Sequence, residues 1–125
     1  MTTENARTVE ETRARFPELF NEGRFDELGT WYYTEDAIAL PAAHAPIEGR
    51  GTICEYLAGL RESAGLRFEL GLIKTVAGED SASLIGTFVA TAADGSRTEG
   101  HTHEAWVLEP DGTWKCSVDM WHAGS

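Results

Sequence analysis

The chain has 125 residues, with 21 Asp and Glu against 10 Lys and Arg, and a formal net charge of −11. That acidity repels nucleic acid and anionic lipid at ordinary salt, and no basic or basic-aromatic stripe offsets it, so neither is an expected partner. A hydrophobic share of 42%, with five Phe, four Trp and three Tyr, excludes a disordered chain and suits a single domain over residues 1–125.

Residues 1–5 read as a frayed tail. The first 25 residues hold no apolar run of signal-peptide length, and no segment is long enough to span a bilayer. A cytoplasmic location is the expectation, with Cys54 and Cys116 as reduced thiols, since neither belongs to a CxxC pair or a metal-ligand spacing. From about Ala6 to Asn21, Val9, Phe16, Leu19 and Phe20 fall near one helical face, and Gly23 supplies a left-handed stop. Phe25 to Tyr32 reads as a second helix with Asp26 in its first turn, where an acid suits the dipole.

An acidic turn follows, then a short strand from Ala37 to Leu40 and a loop pinned by Pro41 and Pro46. Ile53, Tyr56, Leu57 and Leu60 restore the helical period over Thr52 to Glu62, with Thr52 and Glu55 placed as a capping box. Four strand-like segments complete the chain, at 66–77, 82–92, 97–109 and 113–121. The Asp94-Gly95 and Asp111-Gly112 pairs predict hairpins and so an antiparallel meander, while Gly71 and Gly86 fall mid-strand where a curved sheet bends. Three helices before a curved antiparallel sheet make an α+β fold whose uncovered inner face becomes a pocket.

Several short motifs, in order, carry a resemblance. They are Asn21-x-Gly23-x-Phe25-Asp26-x-x-Leu28, Tyr33-Thr34-Glu35-Asp36-Ala37-Ile38, Leu40-Pro41, and Pro46-Ile47-x-Gly49-Arg50-x-x-Ile53. Trp106-Val107-Leu108, Asp111-Gly112-x-Trp114-Lys115 and Asp119-Met120-Trp121 close the series. In this order and spacing the chain resembles the nuclear-transport-factor-2-like (NTF2-like) superfamily, in its SnoaL-like and ketosteroid-isomerase-like branch. The resemblance implies a cone-shaped α+β fold around one pocket, a homodimer, and cofactor-independent proton transfer on an apolar carbonyl- or epoxide-bearing molecule such as a polyketide intermediate. A non-catalytic ligand-binding or assembly domain is the other use of such a fold. The isomerase base would fall at or beside Pro41 and the isomerase tyrosine near Phe16, and neither residue can do that chemistry. Glu104 falls near the remaining acid position.

The SnoaL-like comparison points instead to a His and an Asp on neighbouring late strands. Counting outward from the Asp111 turn sets Asp119 roughly opposite His103, with room for a slip of one residue. Strand parity leaves two readings open. Either His103, with His101 beside it on the same face, enters the pocket, or Glu104 does so beside Trp106. On the last strand Trp114, Cys116, Val118 and Met120 form the apolar set, which assigns Asp119 and Trp121 to a mixed face. The expected catalytic set is Asp119, His103, Glu104 and Tyr33. The expected substrate-binding set is Trp31, Tyr32, Tyr56, Phe88, Trp106, Trp121 and His44. No metal or cofactor set is placed by spacing, because the His101/His103 pair lacks a third ligand. No Ser or Cys stands in a nucleophile motif.

Overall fold

The computed structural model describes residues 7–124; the expected frayed tail lies outside them. The first predicted helix is two helices, α1 (Val9–Ala14) and α2 (Phe16–Asn21), broken at Arg15. Pro17 explains the break. It lacks an amide N–H and its ring crowds the preceding turn, so it is tolerated in the first turn of α2 and not within one continuous helix. Thr8 caps α1 in a reciprocal box with Glu11. Helix α3 spans Phe25–Tyr32, as its sequence pattern predicts.

Strand β1 runs over Tyr33–Pro41, longer than the Ala37–Leu40 expectation, and absorbs the acidic turn. After the two-residue β2 (Ile47–Glu48), α4 spans Arg50–Ala64. The Thr52/Glu55 capping box does not form: the N-cap is Gly49, at φ 92°, and Thr52 and Glu55 are exposed within the helix. A glycine is needed there because L side chains rarely adopt that backbone region.

Strands β3 (Arg67–Ala77), β4 (Ser81–Thr91), β5 (Arg97–Leu108) and β6 (Trp114–Ala123) form the expected antiparallel meander. The six-stranded sheet has the order β2-β1-β6-β5-β4-β3 and is mixed, because β1 lies parallel to β6. The three-helix α+β architecture stands, with its first helix divided at Arg15 and β1 running parallel to β6 in an otherwise antiparallel sheet. The helices cover one face of the sheet and bury Leu19, Phe20, Leu28, Ile53, Leu84 and Trp106 against it. Burying side chains of this size stabilises a fold by roughly 1.5–3 kcal/mol each.

Candidate active site

The chemistry of the inner face depends on one extra residue in β6. Trp106 pairs with Cys116, but Ala105 pairs with Val118, so Ser117 is the additional residue of a β-bulge. A regular ladder would continue with Asp119 opposite His103 and facing away from the core. The bulge moves the register by one, sets Asp119 opposite Glu104 and turns it inward. Cys116 and Asp119 are buried, whereas Met120 is exposed. The predicted apolar set of β6 therefore holds only as far as Cys116, beyond which Asp119 and Trp121 take the inner positions. The Ser117 hydroxyl donates to the Ala105 carbonyl at 3.2 Å and fastens the bulge.

Glu104 is 1% exposed and fully engaged. Arg13 of α1 donates from Nε to both carboxylate oxygens at 3.0 Å. Trp106 Nε1 donates to Oε1 at 3.1 Å, and the Tyr32 hydroxyl lies 3.5 Å from the same oxygen. Asp119 is bound differently. The Tyr33 hydroxyl donates to Oδ2 at 2.7 Å, and Oδ1 has no protein hydrogen bond among the described residues. Burial, and then the neighbouring Glu104 charge, push the Asp119 carboxyl up to about 7, against a partial opposing effect of the Tyr33 bond and Arg13. Burial raises Tyr32 and Tyr33 well above the usual phenol range, so both remain hydrogen-bond donors at neutral pH.

Between the sheet and the helices lies a cavity with about 30 Å³ of free space. That is room for a water molecule or two, at the roughly 10–15 Å³ that one water requires. Its walls are apolar, from Phe16 and Leu57 on the helices and Phe68, Leu70 and Phe88 on the sheet. Tyr32, Thr102, Glu104, Asp119 and Trp121 complete the lining. Phe68, Leu70 and Trp121 are only half-buried, which places the rim with them.

The predicted site residues thus separate. Asp119, Glu104, Tyr32, Phe88 and Trp121 reach the cavity. His103 is exposed on the opposite face, because parity admits either it or Glu104 and the bulge leaves β5 regular. Tyr33 stands outside the lining and reaches it only by its hydrogen bond to Asp119. Trp106 is 0% exposed and supports Glu104 from the core. Trp31 is half-buried with the Arg7 guanidinium 3.5 Å from its ring centre and Arg15 on it at 4.8 Å, outside the cavity lining. His44 is exposed and rests on Tyr56, which in turn faces Trp121 outside the lining.

Sequence reasoning missed Arg13, Phe16, Leu57, Phe68, Leu70 and Thr102. For Arg13 a signal existed: it stands four residues after Val9, on the buried face of α1, where a cation is out of place. Cys116 is buried and its thiol is raised by desolvation, and Cys54 is pushed up to about 11 by the same cause, so neither is an activated nucleophile. Among the described residues no cluster of three or more His, Cys, Asp or Glu could hold a metal ion. No helix is long and apolar enough to cross a membrane.

No family model and no curated protein matches the chain by sequence. Solved structures match it by shape. An NTF2-like protein with a cystatin-like fold from Novosphingobium aromaticivorans superposes with a TM-score of 0.80 at 18% identity, over 94% of this chain and 81% of that one. A ketosteroid isomerase-like protein from Erwinia carotovora atroseptica gives 0.77 at 17% identity, over 98% of both chains. A candidate dehydratase of the NTF2-like family from Streptomyces avermitilis gives 0.77 at 16%, over 93% of both. At these identities the likeness is one of architecture. The chain shares the NTF2-like, cystatin-like fold of these structures.

Proposed function

We propose that the protein is a cofactor-independent enzyme that moves a proton on a small apolar molecule bearing a carbonyl or epoxide, in a cyclisation, isomerisation or dehydration. One observation carries this reading. Asp119 is a buried carboxyl at an apolar cavity, with one oxygen held by Tyr33, the other without a protein partner, and a proton affinity raised to about 7. A group poised near ambient pH is present in both protonation states and can take a proton and return it. Glu104, with both oxygens held by donors, is fixed in place and is not the moving acid. The neighbours named as isomerase-like and dehydratase-like are consistent with chemistry of this class.

The free space of about 30 Å³ limits what enters without movement. A polyketide-sized substrate requires the rim at Phe68, Leu70 and Trp121 to part. The test is a turnover screen of small ketones, enones and epoxides against wild type and Asp119→Asn. The variant should lose turnover by 10²-fold or more without a lower melting temperature at pH 7. Equal turnover by both proteins would refute the assignment.

The small cavity also favours a second reading, an assembly module. The sheet's outer face exposes Val76, Ile85 and Met120, an apolar surface suited to association with a second copy. Neither Trp106 nor Trp121 contributes, because both point inward. Multi-angle light scattering on wild type and an Ile85→Lys/Met120→Lys variant distinguishes the cases: a dimer that the variant dissociates supports association through this face, and a monomeric wild type removes it.

A further inference from the structure

Arg13 enters the interior from α1, 91 positions before its partner Glu104, and each of its three guanidinium nitrogens has a protein acceptor. Nε takes Glu104, Nη1 donates to the Gly71 carbonyl at 2.8 Å, and Nη2 donates to Thr102 Oγ1 at 3.1 Å. The sheet is shaped to admit it. A Cβ at Gly86 would stand 2.4 Å from Arg13 Nη2 and 2.5 Å from the Gly71 carbonyl. The two mid-strand glycines therefore frame a seat, one by lacking a side chain and one by offering its carbonyl.

A buried ion pair is a poor way to gain stability, since apolar residues of similar volume do as well or better. Its position suggests another use. Glu104 is the direct cross-strand neighbour of Asp119. Asp119 is faced by Tyr33 from β1, Tyr32 from α3, Cys116 from its own strand, Glu104 from β5 and, through Glu104, Arg13 from α1. Tyr32, Tyr33 and Cys116 are all held neutral by burial at ordinary pH. The charged neighbours of Asp119 are thus Glu104 and Arg13.

We propose that Arg13 is a positioning residue of this site, fastening the Glu104 carboxylate beside Asp119 while offsetting part of its negative field. The proposal rests on the reading of Asp119 as the proton carrier and names what sets its proton affinity. The Glu104 charge favours the protonated form of Asp119, and the Arg13 cation opposes it. Arg13 is not a catalytic residue, because it lies outside the cavity lining and acts through Glu104.

The test follows the Asp119 side-chain carboxyl by 13C NMR in protein labelled at Asp, between pH 4 and 9, without substrate. Glu104→Gln keeps shape and removes the charge. Its Asp119 midpoint should fall by at least one pH unit, a tenfold weaker proton affinity. Arg13→Gln removes the compensating cation, and its midpoint should rise. Opposite shifts from two members of one pair are what an electrostatic role requires, whereas loss of packing alone would move both variants the same way. Shifts of the same sign, or an unchanged midpoint in Glu104→Gln, overturn the proposal. If Arg13→Gln does not fold, the isosteric Glu104→Gln decides alone. Because the titration needs no substrate, its outcome is separate from the turnover assay of Asp119→Asn: opposite shifts with unaltered turnover would uphold the role of Arg13 and reject the function.

Discussion

The two faces of β5 and β6 are made from alternating residues of the same strands, yet they carry opposite chemistries. Inward stand Thr102, Glu104, Trp106 and Asp119, buried and tied by directed hydrogen bonds, with the half-buried Trp121 at the rim. Outward stand His101, His103, Met120 and His122, with His101 and His122 adjacent as cross-strand partners and their ring centres 5.8 Å apart. A carboxyl on the outer face would be an ordinary solvated acid. On the inner face the same group loses its water, meets a second carboxylate and holds its proton to about 7. Burial and neighbours, more than residue type, make the difference, and a single bulged residue decides which face Asp119 joins.

The sharpest way to break this contrast is to truncate neighbouring residues on β5. Glu104→Ala leaves Arg13 buried without its carboxylate and should cost about 3–5 kcal/mol in denaturant unfolding. His103→Ala, one position along, should stay within about 0.5 kcal/mol of wild type. Comparable losses at both positions would contradict the division of faces. Trp106→Ala should approach the Glu104 result, at about 3–5 kcal/mol, since it opens a core cavity and removes a donor to Glu104.

Exchanging neighbours on β6 tests the bulge. In Val118→Asp/Asp119→Val the acid moves to the outer face, and its carboxyl should titrate near 4, like an ordinary Asp. A midpoint that stays near 7 would mean that the register is not as described. A smaller effect comes from Tyr33→Phe. The lost hydrogen bond favours the ionised form of Asp119, so the Asp119 midpoint should rise further, with a stability loss of about 0.5–1.5 kcal/mol.

The pH dependence of stability follows from the same group. The folded-state value of Asp119 lies above its unfolded value, so the folded protein binds the proton more tightly. That contribution is full below the unfolded value near 4 and is lost as pH rises through about 7. Asp119→Asn removes the titration. Its stability should match wild type near pH 4 and exceed it at pH 8, measured by urea unfolding at both values. A variant less stable than wild type at pH 8 would reverse the sign and count against a raised folded-state value.

Much of the frame was legible in the sequence because it rests on local chemistry. The Asp-Gly turns, Gly23 and the Phe25–Tyr32 pattern each state a backbone preference within a few residues. Pro17 was equally legible as a breaker, yet the strong apolar face through Val9, Phe16 and Phe20 outweighed it in a continuous-helix reading. Thr52 and Glu55 satisfied the capping pattern, but Gly49 and Arg50 had already begun the helix one turn earlier. Counting from the Asp111 turn holds up to Cys116, and the one-residue slip it left room for occurs at Ser117, a bulge that nothing in the local sequence marks. Arg13 was invisible as a partner of Glu104, because that pairing joins the first helix to the fifth strand through space opened by Gly86.

The central claim is that Asp119 is the buried, proton-carrying group at the cavity. The 13C titration of its carboxyl in the wild-type protein tests this most directly. The structure leads to a midpoint near 7, with the amide spectrum unchanged across the transition; a midpoint near 4, the value of a solvated aspartate, would contradict it.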